Sequence, residues 1–365
     1  MGGGILAAMP ESELPPGIAY PAVARFFREN VPGADGDLAF MLIGEGRSNL
    51  TYAVTCGGQK WVMRRPPLGH VLPTAHDMVR EYRVISAMDA QGFPVAHPIA
   101  LCEDPAVNEY PFYVMSFADG RILTFDDHAG YAETEPEREK IGHALVDTLV
   151  QLHAIDYQAA GLGDFAFKPE GYLERQLRRW GEQWERSKTR DLPEVDELSR
   201  RLRKALPPSP PPTLVHGDYR LGNMVLAHDD PGRVVALLDW EMSTLGDPLS
   251  DLGYTIMYWG QEGDPELRLL SNEESRVTAR PGFLSRDELV AEYARKSGRS
   301  VEHIEFYEIF ANYKIGIIME GIHARYLAGE TVGDIFDDAG EVAAWMLENG
   351  LAVADRASNP VLRGE

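Results

Sequence analysis

Between residues 214 and 252 two short apolar runs each lead to a carboxylate, and this stretch restricts the possible folds more than any other part of the chain. Leu214-Val215 leads through His216-Gly217 to Asp218, and Asn223 follows five residues later. Val234-Val235-Ala236-Leu237-Leu238 ends at Asp239. Such runs read as strands, and a strand that ends in a carboxylate sets it at a sheet edge, where it can meet a substrate or a metal. Asp-x-x-x-x-Asn followed by a second Asp on a neighbouring strand is the spacing of a phosphoryl-transfer site. There one carboxylate orients the acceptor hydroxyl, while the amide and the other carboxylate hold Mg²⁺ against the phosphates of ATP. On this reading the rest of the chain serves that site.

A chain of 365 residues suits a two-lobed enzyme with a full core. Its net charge of −22 argues against a nucleic-acid binder, because phosphate backbones attract Lys and Arg. Cys56 and Cys102 are the only cysteines and fall in different elements, so no disulfide framework is expected. Residues 1–10 lack the basic region and long apolar core of an export signal, and Leu6 stands where a myristoylation signal needs Ser or Thr. No apolar run approaches the roughly 20 residues of a membrane span. The expectation is a cytoplasmic protein with no membrane or nucleic-acid partner.

Residues 1–20, rich in Gly and Pro, read as a loose arm, and 20–30 as a short helix with Val23, Phe26 and Phe27 on one face. Residues 38–43, 50–55 and 61–65 read as strands, the last two joined by a Gly57-Gly58 turn. A helix capped by Thr74 carries Met78, Tyr82, Ile85 and Met88 at helical spacing and stops at Gly92. Two further strands, 98–102 and 112–117, complete a lobe of five strands and one helix, an α+β arrangement rather than a Rossmann unit. Beyond the expected hinge at 118–120, residues 138–155, 172–206, 251–260, 286–297, 304–327 and 342–354 favour helix. The predicted division is an arm and short helix over 1–34, a nucleotide-binding β lobe over 35–117, and a helical lobe over 118–365.

The order and spacing of several motifs resemble one family. They are Val62-Met63-Arg64-Arg65-Pro66-Pro67, Arg80-Glu81-Tyr82-Arg83, Phe112-Tyr113-Val114-Met115, Leu152-His153, His216 to Asn223, Leu238-Asp239-Trp240-Glu241 and Gly246 to Leu252. Together, over roughly residues 35–355, they are similar to the aminoglycoside phosphotransferase/choline kinase superfamily, which shares the protein-kinase-like fold. Within it the likeness is greatest to phosphotransferase domains fused to, or encoded beside, acyl-CoA dehydrogenases. The resemblance implies a bilobal α+β fold: a small five-stranded antiparallel lobe with one helix, and a larger, mainly helical lobe.

It also implies roles. Asp218 accepts or orients the proton of the attacking hydroxyl, and positioning matters more than basicity in a loose transition state. Asn223 and Asp239 offer hard oxygen ligands to Mg²⁺. Asp251 accepts backbone N–H bonds from the catalytic loop, and His216 braces that loop. Arg220 matches the position where many protein kinases keep a Lys on the transferred phosphate. The family usually has Lys on its third strand; this chain has Arg64, on the same strand face as Val62, so Val62 would touch adenine while Arg64 reaches the phosphates with Glu81 as its partner. The turn containing Gly44, Gly46, Ser48 and Asn49 would drape N–H groups over phosphate. Met115, Ser116 and Phe117 would line the adenine pocket. Trp240 and Glu241 stand where protein kinases have Phe-Gly, and choline-kinase-like relatives share the Glu.

The acceptor is less legible. Sites for cationic aminoglycosides and choline use carboxylates or aromatic rings, and Tyr254, Tyr258 and Trp259 either face such a site or belong to the core. The segment 172–206 holds ten Lys and Arg against seven Asp and Glu; it is either a solvated face or the seat of an anionic acceptor such as a CoA thioester. The expected activity is ATP- and Mg²⁺-dependent transfer of the γ-phosphoryl group to a metabolite hydroxyl, with a hydroxyacyl-CoA as one acceptor. Aminoglycoside or choline/ethanolamine phosphorylation is an alternative, as is a catalytically silent nucleotide or acyl-CoA binding protein. ATP and GTP are not distinguished.

Overall fold

Alternating side chains from residue 39 onward form five strands of one antiparallel sheet: β1 (Ala39–Ile43), β2 (Leu50–Cys56), β3 (Gln59–Arg65), β4 (Pro98–Cys102) and β5 (Phe112–Ser116), in the order β1-β2-β3-β5-β4. The structure is a computed structural model that describes residues 16–43, 49–68, 77–124, 130–166, 170–270, 273–329 and 338–365. The chain divides into two compact units, Met1–Asp119 with Val235–Glu241, and Gly120–Val234 with Met242–Glu365.

In the first unit, α1 (Tyr20–Asn30) lays Val23 and Phe27 against Leu38, Tyr52, Val54, Met63, Phe112 and Val114. Each fully buried aromatic or branched side chain there contributes about 1.5–3 kcal/mol. The end of the expected loose arm is docked: Tyr52 Oη donates to the Pro16 carbonyl at 2.5 Å, Arg65 Nη1 donates to Gly17 O, and Ala19 N donates to Asn108 Oδ1 at 3.2 Å. The helix α2 (Met78–Ala90) is capped by Asp77, whose Oδ1 accepts the Arg80 N–H at 2.9 Å. Thr74, the expected cap, lies outside the described residues.

The second unit is built on helices. After α3 (Glu135–Ala154), which opens with a Thr134–Glu137 capping box, come α4 (Tyr172–Ser187) and α5 (Pro193–Lys204). The helix-favouring stretch 172–206 is therefore two helices. Pro193 cannot donate a helical N–H and sits in the first turn of α5, where none is needed. Three short strands follow in this unit, β6 (Thr213–Val215), β7 (Met224–Leu226) and β9 (Thr244–Gly246), with β6 and β9 paired antiparallel, while the intervening β8 (Val234–Leu237) falls, but for Val234, in the first unit. Then come α6 (Leu249–Tyr258), α7 (Glu266–Leu270), α8 (Glu273–Thr278), α9 (Arg286–Ser297), α10 (Ile304–Leu327), α11 (Ala339–Asp355) and α12 (Pro360–Arg363). The helix α10 is buried along most of its first half and packs against α4, α5, α6 and α11. Among the described residues no helix is long and apolar enough to cross a membrane.

Candidate functional site

Each unit gathers one polar cluster. In the first unit the cluster forms on the face of β3 that carries Val62 and Arg64. Cross-strand pairing sets Val62 opposite Met115 and Arg64 opposite Tyr113. Arg64 is buried, and its guanidinium bonds Glu81 Oε1 at 3.1 Å and Asp239 Oδ1 at 3.1 Å, with Glu241 Oε2 at 3.7 Å. Burial alone would lower the Arg64 pKa, but Glu81, Tyr113, Asp239 and Glu241 together raise it, so the side chain is a fixed cation. Burial pushes the Glu81 carboxyl up while the Arg64 charge pulls it back, and Tyr113 Oη donates to its Oε1 at 2.9 Å. The Asn49 amide donates to Glu241 Oε2 at 2.9 Å, so its side chain belongs to this ion cluster. Arg64 Nε is buried and meets no acceptor among the described residues.

Asp239 has a left-handed backbone, with φ of 66°. Outside glycine that conformation is uncommon, and Asp tolerates it better than most residues. It turns the chain directly after β8 and leaves the carboxylate about one-third exposed beside Arg64. Along β5, Met115 is buried, whereas the Ser116 N–H is already engaged by the His97 carbonyl at 2.8 Å. Lys60 Nζ lies 3.5 Å from the centre of the Phe117 ring. Gly44, Gly46 and Ser48 lie outside the described residues.

In the second unit the loop after β6 and the short 3₁₀ turn Leu221–Asn223 deliver Asp218, Arg220 and Asn223. Asp251, fully buried on α6, anchors the loop from below: Oδ2 accepts the His216 N–H at 2.7 Å and Oδ1 accepts the Gly217 N–H at 2.8 Å. His153 Nε2 reaches the same Oδ2 at 3.2 Å, and its Nδ1 meets Tyr293 Oη at 2.8 Å. Burial would raise the Asp251 pKa, yet His153, His216 and the Gly217 N–H hold it below its ordinary value. Gly217 takes φ of +83°, and a Cβ there would stand 2.5 Å from the Met242 carbonyl oxygen, so only glycine fits this turn. His216 is fully buried, and its Nδ1 accepts the Asp218 N–H at 3.3 Å.

Asn223 Nδ2 donates to Asp218 O at 2.8 Å and to Asp218 Oδ2 at 2.7 Å, which leaves the amide oxygen as the group Asn223 can offer a cation. Arg220 Nε is 3.5 Å from Asp218 Oδ1, and its guanidinium lies over the Tyr258 ring at 5.2 Å. Burial raises the Tyr254 pKa well above its ordinary value, and the nearby Asp218 charge adds to the rise. Tyr254 and Tyr258 thus gather at Asp218, while Trp259 is core, donating Nε1–H to Leu284 O at 2.7 Å.

Two further residues act on this loop from distant parts of the chain. Buried Glu274, on α8, accepts the Leu221 and Gly222 N–H groups at 3.0 and 2.9 Å and pairs with Arg220 Nη1 at 3.4 Å. Lys314, on α10, donates Nζ–H to the Gly217 carbonyl at 2.7 Å. Neither has a sequence signal. Glu274 follows a run of ordinary polar residues, and Lys314 interrupts a helix that otherwise reads as core.

A sequence model described as the phosphotransferase enzyme family matches residues 40–283. Among curated relatives, acyl-CoA dehydrogenase family member 11 of Gallus gallus is 34% identical over 330 residues, covering 88% of this chain and 41% of the relative. The Homo sapiens protein of the same name is 35% identical over 321 residues, covering 87% and 40%. The chain thus spans about two fifths of the length of these curated relatives. Among solved structures, a Ralstonia eutropha protein classed with the aminoglycoside phosphotransferases matches with a TM-score of 0.77 and 34% identity, covering 93% of this chain and 99% of that one. A thermostable mutant of aminoglycoside phosphotransferase APH(4)-Ia, in ternary complex with AMP-PNP and hygromycin B, matches at a TM-score of 0.59 and 15% identity, covering 93% and 99%. That second likeness is one of fold alone.

Proposed function

Because the chain belongs to the phosphotransferase enzyme family, we propose that it is a small-molecule kinase that moves the γ-phosphoryl group of ATP to a metabolite hydroxyl in the presence of Mg²⁺. The observation that carries this reading is the Asp218–Asn223 pair. The amide nitrogen fixes the carboxylate at 2.7 Å, and the amide oxygen stays available to a cation. Asp218 would receive the hydroxyl proton as the oxygen–phosphorus bond forms, with the Asn223 amide holding the carboxylate in one orientation. Arg220 would meet the transferred phosphoryl group. Asn223 and Asp239 present hard oxygens, the donor type Mg²⁺ takes. Bound there, Mg²⁺ would supply neutralisation of phosphate charge.

Arg64 would hold the α- and β-phosphates, and its buried Nε donor, which meets no acceptor among the described residues, suits an anionic ligand. Glu81, Tyr113 and Glu241 keep the guanidinium in place. Val62, Met115 and Phe117 would flank the adenine. For the acceptor we favour a hydroxyacyl-CoA, since the relatives are named as acyl-CoA dehydrogenases; a functional link to such a dehydrogenase follows from the same names.

The test is ADP release with Mg²⁺-ATP across hydroxyacyl-CoAs, kanamycin and choline, with Asp218→Asn as control. We expect turnover with a hydroxyacyl-CoA and a loss of about a hundredfold or more in the variant. ATP binding without Mg²⁺ dependence and without turnover on any acceptor would mean a silent binding protein.

A further inference from the structure

Among the described residues Lys314 is a buried lysine with no ion-pair partner, placed against the backbone just ahead of Asp218. Its Nζ donates to the Gly217 carbonyl at 2.7 Å and lies 4.7 Å from the centre of the Tyr254 ring and 5.9 Å from that of Trp180. An ammonium has three donors, and one is engaged. Among the described residues the other two meet no protein acceptor. The Asp218 charge reaches both the Tyr254 phenol and the Lys314 ammonium, so cation, ring and carboxylate are neighbours. Arg220 adds a second positive charge beside Tyr258, and Arg179 from α4 adds a third whose field reaches Lys314. The carboxylates whose fields reach Lys314 are Asp218 and Asp251, and Asp251 is wholly engaged with the loop.

Tyr254 also belongs to an apolar cluster. Tyr258, Ile318, Met319, Val342 and Trp345 are partly buried and pack on Met257, Ala311, Ile315 and Met346. A cation, two phenols and an apolar strip suit an acceptor whose hydroxyl lies near an oxygen-bearing neutral or anionic group on an apolar chain. They do not suit a polycation.

We propose that Lys314 is the specificity-determining charge of the acceptor site: its free N–H donors bind an oxygen of the acceptor next to the reacting hydroxyl, and its charge turns away cationic acceptors. This rests on the kinase reading but fails separately from it. Desolvation lowers the Lys314 pKa to about 8, so its charge declines as pH rises through that value, whereas an arginine in its place stays charged. Tyr254 titrates well above this range, because burial raises its pKa.

The experiment measures binding of 3-hydroxybutyryl-CoA, choline and kanamycin by calorimetry without ATP, and KM by ADP release with it, in wild type, Lys314→Met and Lys314→Arg. We expect Lys314→Met to weaken 3-hydroxybutyryl-CoA by about tenfold or more while choline binding improves. Lys314→Arg should restore the acid-side affinity and remove the loss of affinity above pH 8. Melting curves of both variants separate misfolding from lost recognition. If the wild type binds 3-hydroxybutyryl-CoA in a Lys314-dependent way but releases no ADP, the kinase reading fails and the assignment of Lys314 stands. Equal affinity in wild type and Lys314→Met, tighter binding of choline or kanamycin than of 3-hydroxybutyryl-CoA by wild type, or no binding of any probe overturns the proposal.

Discussion

Arg64 shows how much one side chain can carry when three carboxylates converge on it. Removing the guanidinium would leave Glu81 buried beside Tyr113 without its cation, and stranding one member of a buried pair costs about 3–5 kcal/mol. Arg64→Ala should therefore lower stability by that order in urea titrations, and also raise the KM for ATP. Arg64→Lys keeps the charge but loses the planar fork, and we expect near-normal stability with the KM for ATP raised by about tenfold. An unchanged KM in both variants would remove Arg64 from the nucleotide site. Strand parity and the Glu81 position made this pair legible in the sequence. Lys314 was not legible, because it meets Gly217 across 97 positions of chain, and no local pattern encodes a contact of that span. Glu274 was hidden for the same reason: one more acidic residue on a short polar helix announces nothing until the loop it caps is folded against it.

Elements were legible in proportion to their length. The five strands of the sheet and the helices over 20–30, 286–297 and 304–327 have enough residues to establish a period. The three-residue strand β9 does not, whereas β6, equally short, is legible as the apolar Leu214-Val215 run that leads to Asp218. The entry to α6 carries its own test. Burial pushes the Asp247 carboxyl up from an ordinary 3.8 to about 6, although Tyr307 Oη donates to it at 2.6 Å. Between those values the folded chain keeps a proton that the unfolded chain releases. The stabilising contribution is therefore full below pH 4 and is lost as pH climbs to about 6, an effect on the order of 3 kcal/mol. Denaturant titrations at pH 4.5 and 6.5 should show a smaller difference in Asp247→Asn than in wild type. An equal difference would mean that Asp247 titrates normally.

At the scale of the whole molecule, the charge of −22 sets how the chain meets large partners. Heparin and duplex DNA should show no retention or mobility shift even at about 50 mM salt, because no counterions would be released in exchange; a salt-sensitive shift would contradict this. The two compact units have a further consequence. The first is not a continuous segment: after residue 119 the chain enters the second unit, returns only for Val235–Glu241, and leaves again. Arg64 and Asp239 belong to the same unit although 175 positions separate them. A single recombination breakpoint near residue 120 would thus give a chimaera whose arginine comes from one parent and whose aspartate comes from the other. Exchange of the sheet-bearing unit between homologues would require three junctions, with the short returning segment inherited alongside the sheet.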